Sequence, residues 1–166
     1  MAAANTYTQI ASTTLGTAAA SVTFSSIPAT YTDLVVICSV QTATGGDDSV
    51  GFQFNGDTTG NYSFSYMNAD GSSASSGRAG TQGSMQFGLV NSSNWGVSIG
   101  HIQNYANTNT KKTVLGRGNM SSLIRAYVGL WKATPAAINS VTVLSTPNVY
   151  NFIVGSQFSL YGITAA

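Results

Sequence analysis

Along most of the chain, large apolar residues recur at every second position and then give way to Gly, Asn, Ser or Asp. A period of two places alternate side chains on one face of an extended strand, so this pattern reads as short β-strands punctuated by turns. Strands are expected over residues 5–12 (Tyr7, Ile10), 21–25 (Val22, Phe24), 33–42 and 49–54. In 33–42, Leu34, Val36, Cys38 and Val40 share one face and Val35 and Ile37 the other, the mark of a strand covered on both sides. Residues 49–54 point Val50, Phe52 and Phe54 inward. Asn55-Gly56 follows, a strong hairpin signal, and predicts pairing with 61–67, where Tyr62, Phe64 and Tyr66 line up. Further strands are expected over 84–90 (Met85, Phe87, Leu89), 97–105 (Val97, Ile99), 112–119, 123–132, 139–145 and 150–163. Over 123–132 the core face is assigned to Ile124, Ala126, Val128 and Leu130, which leaves Arg125, Tyr127 and Trp131 on the opposite face.

No segment keeps a helical period with caps. About 8–11 short strands at close spacing predict an all-β, antiparallel β-sandwich of jelly-roll-like form, in a single domain. Two stretches lack strand signals. Residues 68–83 contain no large apolar side chain, so a long polar loop is expected there, either a contact loop or one without a partner. Residues 13–20 are small and, with the first strand, make residues 1–20 an N-terminal strand and arm of the same domain, with 21–166 forming the sandwich. The arm either reaches a neighbouring molecule or frays.

Composition narrows the function classes. Six Lys and Arg stand against five Asp, with no Glu, so the net charge is +1 and 7% of residues are charged, where about 25% is usual. Polarity comes from 22 Ser, 20 Thr, 13 Asn and 18 Gly. Nucleic-acid binding needs clustered cations against phosphates, and this chain offers few. No apolar run approaches the ~18 residues of a membrane helix, and the N-terminus lacks the basic and apolar regions of a signal peptide. Neither nucleic acid nor membrane is expected as a partner.

Candidate chemistry is sparse. Cys38 lies in an apolar run and reads as a small buried hydrophobe, with a nucleophile as the alternative. His101 falls inside a strand and no Gly-x-Ser-x-Gly elbow accompanies it, so a sheet histidine is favoured over a triad member. Asp47, Asp48, Asp57 and Asp70 stand beside turn glycines, and Asp33 opens a strand. Asp47, Asp48 and Asp57 would have to meet across a hairpin to bind Ca²⁺. Lys111-Lys112 reads as a solvated strand edge. No catalytic, cofactor or metal residue is assigned, and no enzyme activity is expected. Aromatics and arginines are the better candidates for contact: Tyr7 and Ile10 in the first strand, Arg78 in the polar stretch, Trp95 in a turn, and Arg125, Tyr127 and Trp131. Arg, Tyr and Trp are enriched at interface hot spots. A buried second face is the competing reading for Tyr127 and Trp131.

The opening Tyr7-Thr8-Gln9-Ile10-Ala11-Ser12 leads into Ser21-Val22-Thr23-Phe24-Ser25-Ser26-Ile27-Pro28 and Tyr31-Thr32-Asp33-Leu34-Val35-Val36. Phe54-Asn55-Gly56-Asp57 and Asn61-Tyr62-Ser63 follow, and Gly155-Ser156-Gln157-Phe158-Ser159-Leu160-Tyr161-Gly162-Ile163 closes the chain. Together these segments resemble the small β-rich virion proteins of tailed bacteriophages, particularly capsid decoration (cement) and head-fibre or tail-associated proteins. The resemblance spans nearly the whole chain, apart from 68–83 and 104–112, and its motifs are structural. It implies a subunit made in the bacterial cytoplasm, homotrimeric, and bound to the major capsid protein on the virion surface. The alternative it leaves open is a receptor- or carbohydrate-binding module of a fibre, baseplate or tail, with Trp95, Tyr62 and Tyr66 as sugar-facing aromatics.

Overall fold

The computed structural model describes residues 6–164. They form twelve strands: β1 (Tyr7–Thr14), β2 (Ser21–Phe24), β3 (Asp33–Val40), β4 (Asp48–Phe54), β5 (Tyr62–Ala69), β6 (Ala74–Gln82), β7 (Met85–Val90), β8 (Gly96–Ile102), β9 (Lys112–Met120), β10 (Leu123–Trp131), β11 (Val141–Thr146) and β12 (Gln157–Ile163). Eight of them make a large sheet in the order β1-β12-β3-β8-β9-β10-β5-β6, and four a small sheet in the order β2-β11-β4-β7. Every pairing is antiparallel.

The strand order is that of a jelly roll with two insertions. The four strands β1-β12-β3-β8 face β2-β11-β4-β7, and the chain passes between the two sheets as an eight-stranded jelly roll does. The hairpin β5-β6 is inserted between β4 and β7, and the hairpin β9-β10 between β8 and β11. Both insertions join the large sheet, where they pair with each other through β10 and β5.

The core lies between the sheets. Leu34, Val36, Cys38 and Val40 point into it from β3, as the alternation predicts, and Val50, Phe52 and Phe54 meet them from β4. Phe52 stacks on Phe87 with centroids 3.7 Å apart. Burying each such side chain contributes about 1.5–3 kcal/mol.

Four sequence expectations are corrected. The polar stretch 68–83 is mostly strand: β6 pairs with β5 from Ala69↔Ala74 to Tyr62↔Gln82, after a turn in which Asp70 accepts the Ser72 and Ser73 amides. An edge strand that covers no core needs no apolar alternation, so its backbone ladder leaves no trace in hydropathy. The Asn55-Gly56 turn forms, with positive φ at both residues and the Asp57 amide donating to the Phe54 carbonyl at 2.9 Å. It does not join paired strands, because β4 belongs to the small sheet and β5 to the large one. Here the turn chemistry fixed a chain reversal and left the partner open. Phe54 and Tyr62 face each other across the core with centroids 6.1 Å apart.

The third correction concerns which way β10 faces. Ile124, Ala126 and Val128 point outward, and Tyr127, Gly129 and Trp131 point inward; β8 and β9 likewise turn several glycines to the interior. A Cβ on Gly116 would lie 2.4 Å from the Phe87 carbonyl oxygen, and one on Gly118 2.9 Å from the Leu89 nitrogen. Strand β7 therefore rests directly on a glycine floor, and larger inward side chains would have no room. The fourth is Lys112, which is buried inside the sheet, where its Nζ donates to the carbonyls of Asn107 and Thr110. Burial lowers its pKa.

Candidate functional site

Because β8, β9 and β10 give several inward positions to Gly96, Gly100, Gly116, Gly118 and Gly129, many of their aliphatic side chains lie on the outer face of the large sheet. The register assembles it into rows. One row runs Ile37, Ile99, Arg117, Ala126 and Met67 across β3, β8, β9, β10 and β5. On one side of it run Val97, Asn119, Ile124 and Ala69, and on the other Val35, His101, Leu115, Val128 and Ser65. Met67 is 68% exposed, Ile124 59%, Val128 57%, Leu115 47% and Val97 46%. An open groove of about 540 Å³ runs among Met67, Val97, Ile99, Arg117, Ile124 and Ala126.

With strands about 4.8 Å apart and same-face residues about 6.8 Å apart, four strands by three rows cover about 400 Å². Most of that area is apolar, interrupted by Arg117, Asn119, His101 and Ser65. A patch of that size falls within the range of the largest on a typical monomer, which is often functional. Arg117 is its one exposed cation, and it makes no ion pair among the described residues. At the rim, His101 and Asp33 bond at 2.8 Å, and Asp33 also accepts the Asn104 amide at 2.6 Å.

Of the seven residues expected to make contacts, three are exposed: Tyr7, edge-on to Tyr161 on β1 and 56% exposed, Trp95, 46% exposed in the turn before β8, and Arg78 on β6. Ile10 packs against the core beside the β1 bulge. Tyr127 and Trp131 are buried and structural, so the competing reading of a covered face holds for them. Trp131 donates its indole N–H to Asp57 at 2.7 Å and stacks on Tyr62. Burial pushes the Asp57 carboxyl up, but hydrogen bonds from Thr59, Trp131 and Asn61 outweigh this and hold it at about 2. Tyr62 is buried too, with its hydroxyl between the Phe54 amide and the Asp57 carbonyl, and an arginine covers Tyr66, so neither ring offers a sugar platform. The arm expected in residues 1–20 is strand β1 from Tyr7 to Thr14, and residues 1–5 lie outside the described residues.

Arg125 lies where the large sheet overhangs the small one. Strand β7, the edge of the small sheet, packs over β8, β9 and β10, so β5 and β6 reach past it. The cleft beneath has a volume of about 320 Å³ and is lined by Arg125 together with Asp47, Asp48, Gln82 and Gln86. Arg78 is paired with Ser65, so it falls on the outer face, in the row of Val128 and Leu115, at the exposed edge of the sheet. Burial raises the Asp48 pKa, against hydrogen bonds from the Ser49 amide and the Ser145 hydroxyl that lower it.

Other groups are dispersed. Cys38 is buried, which pushes its thiol up to about 12. Asp48 opens β4 and Asp57 follows its far end, so the acids considered for Ca²⁺ do not meet. Among the described residues, no three His, Cys, Asp or Glu side chains group as a metal set. No signal in hydropathy alone could have found the outer face, since it requires knowing which strand face is glycine.

No protein-family model, no curated protein and no solved structure matches the chain.

Proposed function

We propose that the protein is a non-enzymatic structural subunit that docks on other proteins through the outer face of β8, β9, β10 and β5. In the setting suggested by the phage resemblance, it is a capsid decoration protein that self-associates, as a homotrimer, and binds the major capsid protein. The observation that carries this reading is the group of exposed Met67, Val97, Leu115, Ile124 and Val128 on a sheet face that no other element covers among the described residues. A sheet face is pre-organised, so little ordering entropy opposes docking. Repeated weak contacts to a lattice gain about 10²–10⁴ in avidity over a single one. The low charge fits the same use, because neutral Ser, Thr and Asn at a rim bond without the desolvation penalty of buried ions.

The test is to add the protein, and its Val128→Lys and Leu115→Lys variants, to shells of its capsid protein and measure bound mass and release of packaged DNA on heating. Wild type should bind and delay release; the variants should stay folded and do neither. Equal release with and without the wild-type protein would sink the cementing role. A strictly monomeric mass in solution would remove the self-association.

A further inference from the structure

The large sheet ends at β6, and no strand among the described residues pairs with its far edge. Which backbone groups stand open there follows from the register. In an antiparallel ladder each residue turns its N–H and C=O to the same side, and successive residues alternate sides. The Asp70 amide donates to the Ser73 carbonyl, so Asn68, Tyr66 and Phe64 also bond toward β6. The Lys132 amide donates to the Asn61 carbonyl, so Ser63, Ser65, Met67 and Ala69 bond toward β10, in agreement. Ser75, Gly77 and Ala79 therefore bond β5, while Ala74, Ser76 and Arg78 direct their N–H and C=O groups to the open edge.

Such an edge is a template for another strand, and proteins usually blunt it with Lys, Pro, a bulge or a cover. The run from Ala74 to Ala79 has no Pro, Arg78 is its one charge, and its other side chains are no larger than serine. The β6 bulge lies beyond this run, opposite the step from Tyr62 to Phe64. The other edge of the large sheet, β1, carries its bulge in mid-strand, between Gln9 and Ala11, where it interrupts an added ladder. Because β5 and β6 reach past β7, the small sheet does not screen the β6 edge.

The edge also complements itself. Turned about a two-fold axis at Ser76, a second copy runs antiparallel and sets its Ser76 opposite Ser76, its Arg78 opposite Ala74 and its Ala74 opposite Arg78. Each of these pairs exchanges two hydrogen bonds, so every outward backbone group of both runs is used. The two arginines stay about 14 Å apart, so like charges do not meet. Each comes instead to the turn of the other copy, where exposed Asp70 is the one carboxylate of the hairpin, held in place by the amides and hydroxyls of Ser72 and Ser73. Arg78 makes no ion pair within its own chain among the described residues.

We propose that β6 is a self-pairing edge: two copies join antiparallel through Ala74, Ser76 and Arg78 into one continuous sheet, with Arg78 of each beside Asp70 of the other. The contact is isologous. It goes beyond the trimer and the docking face proposed above, since it links such units in pairs and doubles whatever mass the rest of the surface assembles. So short a ladder buries far less than the ~1,000 Å² of a lasting interface, so pairing is weak and grows with protein concentration.

Sedimentation equilibrium compares the full chain with its Ser76→Pro variant at millimolar concentration. Proline removes an N–H that β5 does not use, so the melting temperature should hold. The wild type should approach twice the mass of the variant. Ser76→Lys, which sets two cations opposite each other across the axis, should halve the mass as well, and it decides alone if the proline variant does not fold. The same twofold ratio should hold in a Val128→Lys background, where the docking face is disabled, so the two readings fail separately. Amide exchange followed by ¹⁵N NMR should slow at Ser76 and Arg78 as concentration rises and stay unchanged at Gly77, which already bonds Tyr66. Equal masses for the wild type and the variants, or exchange at Ser76 and Arg78 that ignores concentration, would overturn the pairing. Protection of those amides only when capsid shells are added would overturn it too, and would assign the edge to a strand of another protein.

Discussion

Strands β3 and β12 fill the space between the sheets with Leu34, Val36, Cys38, Val40, Phe158 and Leu160, whereas β9 and β10 leave that space to Gly116, Gly118 and Gly129 and send Leu115, Ile124 and Val128 to solvent. Both halves belong to one sheet, and both face the same small sheet. In the first half the volume comes from the large sheet. In the second it comes from β7, whose Met85, Phe87 and Leu89 are fully buried. Interiors pack to a fixed density, so once β7 supplies the bulk, the facing strands must be small. Leu115, Ile124 and Val128 then have no interior to fill, and of the β9 aliphatics Val114 alone reaches the core. Hydrophobicity shows that a strand has an apolar face; only the partner's side-chain sizes say whether that face turns in or out.

The contrast should break first at the glycine floor. Gly116→Val should destabilise the fold by about 3 kcal/mol, since the Phe87 backbone cannot retreat as a side chain can. Gly129→Ala should cost less, about 1 kcal/mol, because the obstacle is the flexible Met85 thioether. Urea unfolding of the two variants checks the order, and equal losses would mean that β7 does not rest on backbone.

The next effect concerns Asp57, at the far end of β4 from the overhang. Its folded value of about 2 lies below the ~3.9 of an unfolded aspartate, so it contributes stability that is complete above about pH 4 and declines as pH falls toward 2. Trp131→Phe removes one of the hydrogen bonds that lower the value and should flatten that decline. Thermal melts from pH 2 to pH 5 on both proteins test this, and parallel curves would discard the linkage.

Smaller still are the changes expected at the outer face. Leu115→Lys and Val128→Lys should shift stability by no more than about 0.5 kcal/mol, as surface substitutions do, whereas Val36→Lys on the opposite face of β3 should prevent folding. Large destabilisation by the first two would show that the face is covered in the folded chain. The smallest effect is chemical: with its thiol at about 12, Cys38 should resist iodoacetamide at pH 8 until denaturant is added. Rapid alkylation of the native protein would contradict its burial.

Legibility followed the same divide. The strands of the jelly roll were readable because Leu34, Val36, Cys38 and Val40, or Val50, Phe52 and Phe54, alternate against a real interior. The facing of β10 is hidden because glycine carries no hydrophobic signal while Ile124 and Val128 do. Strand β6 was invisible because Ser75, Ser76 and Gly77 cover nothing. Asp48 and Arg125 are each visible as charged residues, but their meeting under the overhang depends on β4 and β10, which lie far apart in the chain. Sequence spacing carries no trace of such a convergence.

The two inserted hairpins enter the chain at separate points yet reach the body in series, since β5 touches the large sheet only through β10. The earlier-synthesised hairpin must therefore wait for the later one, with some sixty residues between their paired positions, such as Tyr66 and Tyr127. Closing so long a loop is slow. A chain truncated before β10 therefore loses the one strand that ties β5-β6 into the large sheet, and keeps that hairpin only by contacts such as Tyr62 against Phe54.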